Sequence, residues 1–314
     1  MRIIDKNYFP GWVRKSIAFT IDDGNIELDK KFIDIVGPAG IKGTFNIGSP
    51  KLDKYTPEFY REFYKGYGIS NHCKLHPFYL TVAKEEIPLG EGLFDPQTAD
   101  KSLRYRTDRE GVYKYFHNGR YWANLATADA YCRLVDDGKA DIEAVFGKGS
   151  VTTFVWPYSE QPCAAIGEHL LRSGYTAVRK TGAMLDTTGF SLPADRMRWS
   201  YNAGYADLES ASALYETYED DGELKFFCFG VHSHDYENNG CWDVLVRFAD
   251  RFGNLPEKYY SASVEEIFAY ADAVSAIEIT DTEVKNPTDI TLYIKVDGKR
   301  VTLAPKSCYK LSAE

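Results

Sequence analysis

No run of apolar residues in this 314-residue chain approaches the ~20 that a membrane-crossing helix needs. The segment from Met1 to Tyr8 lacks the apolar core and small-residue cleavage pattern of a secretory leader, so the chain is expected in the cytoplasm. Lysine and arginine never gather into a run and the formal net charge is −9, which argues against a nucleic-acid partner, since that needs a basic face. The six cysteines, at 73, 132, 163, 228, 241 and 308, form no C-x-x-C pair. Reduced, mostly buried thiols are therefore expected rather than a disulfide framework. There is no G-x-S-x-G elbow for a nucleophilic serine, no phosphate-cradling glycine loop behind a strand and no internal repeat. What remains is an ordinary globular composition, 44% hydrophobic and 26% charged, long enough for one large α/β domain with an appendage.

Apolar residues alternate over 16–21, as in a strand, and Leu28, Phe32, Ile35 and Val36 then recur at helical spacing over 27–37. Gly37-Pro38 ends that helix, a strand follows over 41–47, a short helix over 57–64, and a strand end at 67–70 leads into Asn71. The rhythm returns with helices at 127–146, 163–173 and 264–275 and strands at 151–156, 175–179 and 224–231. Strands alternating with helices predict a mainly parallel sheet with right-handed crossovers. Polar segments at the strand ends favour a barrel, whose catalytic groups sit on one rim. Residues 85–122 break the helical period and read as an insertion over the barrel mouth, with a hairpin at 113–122. The domain plan is thus a barrel over 1–275 with that insertion, and a β-rich C-terminal appendage over 276–314 that is too short to stand alone and is expected to pack on the barrel.

Two polar segments carry the chemistry. Thr20-Ile21-Asp22-Asp23-Gly24 closes the first strand, and Asn71-His72-Cys73-Lys74-Leu75-His76-Pro77 stands about fifty residues on. Two imidazoles and a carboxylate make a divalent-metal site with open positions, and a neighbouring carboxylate can act as base for an activated water. Taken alone, Asp-Asp-Gly is more readily a turn and cap device. His72 and His76 are four apart, so a helical turn or a compact loop brings them together, while Pro77 stops an ordinary helix. Cys73 reads as a buried thiol rather than a third ligand. Trp156-Pro157-Tyr158 ends a buried strand in a turn that can aim a backbone N–H at an oxyanion. Gly230-Val231-His232-Ser233-His234-Asp235 ends another, where a histidine can protonate a leaving group. His232 itself reads as a satisfied core residue.

In this order the segments resemble the polysaccharide deacetylase family (carbohydrate esterase family four, the NodB-homology domain) over about 16–275. Thr20 to Gly24 is similar to its motif T-F-D-D-G, Asn71 to Pro77 to N-H-[ST]-x-x-H-P, Trp156-Pro157-Tyr158 to the end of R-x-P-[YF], and His234-Asp235 to the end of L-x-H-D. The resemblance implies a deformed (β/α) barrel. It makes Asp22 the general base, Asp23, His72 and His76 the metal ligands, the Tyr158 N–H the oxyanion donor and His234 the general acid. Cys73 stands at the [ST] position and Val155 where the third motif has its Arg. Asp195-Arg196-Met197-Arg198-Trp199 resembles D-x-x-D-W with Arg198 at the second Asp. Since the family's Arg contacts the base carboxylate, Arg198 is a candidate to approach Asp22 from the opposite wall; a solvated loop position is the alternative.

The expected function is metal-dependent removal of an acetyl group from an N- or O-acetylated sugar or another small acylated substrate. Zinc is the first candidate, and cobalt, manganese or nickel also suit the donors. The alternatives are an amidohydrolase for a non-sugar amide or formamide, and a non-catalytic metal-bound carbohydrate-binding protein. Nothing in the residues bears on oligomeric state.

Overall fold

From Ser16 onward the run Lys15–Asp22 is buried on both faces, as a strand must be when helices cover one side and a packed barrel interior the other. The computed structural model describes residues 2–158, 163–180 and 189–311. In chain order, β1 (Ile4–Tyr8) precedes β2 (Lys15–Asp22), α1 (Ile26–Val36), β3 (Gly43–Ile47), α2 (Pro57–Phe63) and β4 (Gly68–Asn71). Next come β5 (Phe78–Tyr79), α3 (Val82–Glu85), β6 (Leu89–Leu93), β7 (Arg104–Arg106), β8 (Val112–His117) and β9 (Tyr121–Ala126). The alternation resumes with α4 (Ala128–Phe146), β10 (Thr153–Val155), α5 (Ala164–Arg172), β11 (Ala177–Arg179), α6 (Leu208–Thr217) and β12 (Lys225–His232). After α7 (Ser233–Asn238), α8 (Trp242–Phe252), β13 (Tyr259–Ser261) and α9 (Val264–Ser275), the chain ends in β14 (Glu278–Ile279), β15 (Glu283–Lys285), β16 (Leu292–Val296), β17 (Lys299–Leu303) and β18 (Cys308–Lys310).

The central sheet is parallel, in the order β11-β10-β4-β3-β2-β12, with β13 beside the start of β2. Its two edges are joined by an irregular segment, 199–203. Trp199 bridges Arg179 on β11, and Ala203 bridges Phe229 on β12. Three backbone bonds hold it there: Lys180 N–H to Trp199 O (2.9 Å), Asn202 N–H to Cys228 O (2.7 Å) and Gly230 N–H to Ala203 O (2.9 Å). A closed parallel sheet with one irregular stave is a deformed (β/α) barrel, and all its strands end on one rim. The strand β3 lies close enough to β2 that a Cβ at Gly43 would sit 2.3 Å from the Phe19 carbonyl oxygen, so glycine is required there.

Helix boundaries follow their caps. The Asn25 side chain accepts from the Leu28 N–H at the start of α1, Thr127 does the same for α4, and Ser263 with Glu266 forms a capping box on α9. Phe32 turns inward from α1 onto Phe19, Phe45 and Phe229, and Val36 is buried in the same core. No helix among the described residues is long and apolar enough to cross a membrane.

The stretch from β5 to β9 forms a separate five-stranded sheet, order β5-β9-β8-β7-β6. It contains the hairpin read from 113–122, whose turn Asn118-Gly119 has both φ angles positive, 53° and 68°. The sheet also takes in Phe78 and Tyr79, before 85, and runs on to Ala126. At the other end of the chain, β16 and β17 pair as a hairpin and β1 adds to its edge. Leu292, Ile294, Val296 and Leu303 share a core with Ile267, Phe268 and Val274 of α9 and with Ala18 and Phe226 of the barrel. This shared core is what allows so short a β segment to stay folded. All six cysteines are free thiols, but they are not mostly buried: Cys73 and Cys228 are, Cys132, Cys163 and Cys241 are partly exposed, and Cys308, on the C-terminal β segment, is exposed.

Helix α1 also carries a buried acid. Asp29 of α1 has no exposed surface; Ser233 Oγ donates to it at 2.7 Å and Tyr64 Oη at 3.0 Å. Burial raises its carboxyl to about 7 against the pull of those two donors. The unfolded chain releases this proton near pH ~4, so folding stability falls as pH rises from about 4 to about 7, at most by roughly 1.4 kcal/mol per unit. Asp29→Asn removes the ionisation while keeping a polar partner for both hydroxyls. Urea unfolding at pH 5 and pH 7.5 is expected to show a smaller loss of stability for the variant than for the wild type.

Candidate active site

The rim of the barrel is set by register. Asp22 pairs with Asn46 of β3 on one side and His232 of β12 on the other, so these three residues stand at one level, Asp22 and His232 as the last residues of their strands and Asn46 one before the end of its own. Asp22 points into the barrel and is almost fully buried. Its Oδ1 accepts from Asn46 Nδ2 at 2.7 Å and from Arg179 Nη2. Arg179 is itself 1% exposed and lies 5.3 Å from the Tyr201 ring centroid. Burial alone would push the Asp22 carboxyl up. The charge and hydrogen bond of Arg179, with the charge of His232, outweigh it and hold the group well below the usual carboxylate range.

The next residue faces elsewhere. Asp23 has φ 80° and Gly24 φ 67°, a left-handed turn that aspartate tolerates better than most side chains. This turn separates the two carboxylates: Asp22 is buried and ion-paired, while Asp23 is about a third exposed and reaches the histidines.

The second segment is a loop, not a helix. Cys73, Leu75 and His76 all have positive φ (64°, 66° and 46°). Asn71 holds the loop shut: its Oδ1 accepts from the Cys73 N–H at 2.8 Å, and its Nδ2 donates to Val135 O and Tyr175 Oη. His72 Nδ1 lies 3.0 Å from the Val155 carbonyl, an acceptor only, so Nδ1 carries the proton and the Nε2 lone pair faces the rim. That Nε2 is 3.1 Å from His76 Nε2 and 3.6 Å from Asp23 Oδ1, and His76 Nε2 is 3.7 Å from the same oxygen. Burial and the neighbouring His72 lower His76 to about 4, so it is neutral at neutral pH. Two imidazoles and one carboxylate oxygen within reach of a common centre are the donor set of a divalent cation. Cys73, whose thiol burial pushes well up, packs in the hydrophobic core and is no part of this set.

The β12 end supplies a second pair of rings. His232, expected in the core, instead has a 37% exposed side chain on the cavity. Its strand-end position puts the ring at the rim, and Asp235, one turn into α7, accepts from its N–H at 3.1 Å and contacts Nδ1 at 3.0 Å. Burial pulls His232 down, but Asp235, Asp22 and Asp23 together raise it to about 9. His234 stacks on it, ring centroids 4.6 Å apart. His232 Nε2 and His234 Nδ1 are each 4.0 Å from Asp23 Oδ2.

Tyr158 follows β10 with φ 63°, its ring stacked on Phe78 at 3.6 Å and edge-on to His76 at 4.4 Å. The mouth sheet thereby becomes a wall of the site. The cavity above the rim has a volume of ≈ 940 Å³, and besides the residues already described Tyr121, Tyr201 and Tyr205 line it.

The structure thus brings together Asp22, Asp23, His72, His76, Tyr158 and His234. Arg198 is not among them, and the guanidinium on Asp22 belongs to Arg179. Arg198 is exposed in the short turn Arg196–Arg198, which Arg196 ties to α9 through Phe268 O (3.0 Å) and Asp272. The buried residue beside β11 is the next one, Trp199. Sequence reasoning also passed over Arg179, although a lone charge at the end of the apolar strand 175–179 was a signal.

No protein-family model and no curated protein matches the chain. Among solved structures, it is similar to a family 4 acetyl xylan esterase from Clostridium thermocellum in complex with a cobalt ion, at 14% identity and TM-score 0.43 over 81% of this chain and 91% of that one. It is similar to a family 4 carbohydrate esterase from Streptomyces lividans in complex with acetate, at 10% identity and TM-score 0.45 over 79% and 92%. The peptidoglycan deacetylase PdaC from Bacillus subtilis is a third, at 14% identity and TM-score 0.44 over 83% and 95%.

Removing one partner of a buried ion pair leaves the other charge uncompensated. Arg179→Met is therefore expected to destabilise the fold by about 3–5 kcal/mol, and Arg198→Ala, at an exposed position, by no more than about 1 kcal/mol. Urea unfolding at pH 7 compares the two.

Proposed function

We propose that the chain is a metal-dependent hydrolase that removes an acetyl group from an N- or O-acetylated carbohydrate. The observation that carries this reading is the convergence of Asp23, His72 and His76 beside a second carboxylate, Asp22, that is ion-paired and kept apart from them. The wall of tyrosines favours a sugar, whose apolar ring faces pack on aromatic rings. Zinc is the first choice for two imidazoles and a carboxylate, with cobalt, manganese or nickel also suited. Bound there, a divalent cation supplies Lewis acidity, lowering the pKa of water and polarising a carbonyl.

The chain's own groups do the rest. Asp22, kept ionised by Arg179 and anchored by Asn46, accepts a proton from the attacking water. The Tyr158 backbone N–H, in a left-handed turn at the end of β10, donates to the oxyanion. We assign the proton donor for the leaving group to His232 rather than His234, because Asp235 holds the Nδ1 of His232 and orients its Nε2 towards Asp23. His234 stacks beside it.

Asp22→Asn is expected to bind the metal as the wild type does and to lose 10²–10⁴-fold in turnover of acetyl-xylan or an acetylated amino sugar. His72→Ala is expected to lose the metal, as measured by elemental analysis. Hydrolysis that survives complete chelation would overturn the proposal, and a preference for formamide would move it to non-sugar amides.

His232 must carry its proton to donate it. Activity is expected to fall with rising pH at or below about 9, since a cation on Asp23 offsets one of the charges that raise the group. Asp235→Asn is expected to shift that alkaline limb down by at least about one unit in the pH–rate profile.

A further inference from the structure

Asp23 has two oxygens, and each faces a different pair of imidazoles. Oδ1 lies 3.6 and 3.7 Å from His72 and His76; Oδ2 lies 4.0 Å from both His232 and His234. The three atoms of each group lie within 4.8 Å of one another. Nitrogen and oxygen ligands ~2.0–2.1 Å from a zinc-sized ion are about 3.3 Å apart at tetrahedral angles and about 4.2 Å when opposite, so both groups can close on an ion with small side-chain rotations. The second group also has the outer support common to metal-bound histidines: Asp235 sits 3.0 Å from His232 Nδ1, leaving Nε2 to face the carboxylate.

We propose that Asp23, His232 and His234 form a second cation site, so that Asp23 bridges two metal ions across the cavity floor. The two ions repel each other and share one carboxylate, which makes the second the weaker. The site uses His232, and this part rests on the function proposed above: a cation on Nε2 takes the place of the proton that the leaving group needs. The first equivalent of metal therefore switches turnover on and the second switches it off. Free metal becomes a brake built from the same aspartate that supports activity.

The test is equilibrium dialysis of the metal-stripped full chain against zinc, with elemental analysis, and against manganese, with electron paramagnetic resonance. The wild type is expected to bind two ions per chain and, with manganese, to give an exchange-coupled signal. His234→Ala and the more conservative His234→Gln are each expected to bind one ion and give an isolated six-line signal. Metal titration of acetyl-ester hydrolysis should rise and then fall at least tenfold for the wild type, with no fall for either variant. Saturation of the wild type at one ion with metal-dependent turnover overturns the second site and leaves the hydrolase standing. Two ions in both His234 variants place the second ion elsewhere and also overturn it. No bound metal at any concentration overturns both.

Discussion

Two adjacent carboxylates at one strand end repel each other, and left together one would take up a proton. The end of β2 prevents this by sending them in different directions. Asp22 continues the strand and points into the barrel, where Arg179 and Asn46 meet it. Asp23 turns through a left-handed φ of 80° and comes out among the imidazoles. Everything else in the site depends on that separation. It produces one carboxylate that stays charged in the interior and another available to a cation.

The imidazoles are placed just as firmly. The loop after β4 carries three left-handed residues, a conformation maintained by Asn71 bonding at once to Cys73, Val135 and Tyr175. The Val155 carbonyl then decides the His72 tautomer, because an acceptor on Nδ1 leaves the lone pair on Nε2. Across the floor, Asp235 does the corresponding work for His232 from the first turn of α7. The mouth sheet completes the enclosure when Phe78 stacks on Tyr158.

The alternation of apolar strands and spaced helices is local and survives in the chain as written, which is why β2, α1, β3, α4, β12 and α9 stand where the periodicity puts them. The paired Asp-Asp-Gly and histidine segments were legible for a similar reason: rare polar residues interrupt apolar runs at strand ends. Two assignments went elsewhere. Arg198 is exposed in a turn that Arg196 ties to α9, and the charge on Asp22 comes from Arg179, nineteen positions earlier in the chain. His232 sits on the rim rather than in the core. Arg179 and His232 are both last residues of their strands, and which way such a side chain faces is decided by register, which one residue of slip reverses.

The sequence by itself determined the strand–helix order, the free thiols and the residue types at the rim, because propensity, periodicity and composition act over a few neighbours. Tertiary structure alone decided that segment 199–203 closes the barrel, that β1 joins the C-terminal hairpin, and which guanidinium neutralises Asp22. It also decided that Asp23 meets two imidazole pairs instead of one. Those are contacts between residues as far apart in the chain as Asp23 and His234, or Ile4 and Val296. Only the packing of the closed sheet sets such distances, and no local pattern in the chain encodes them.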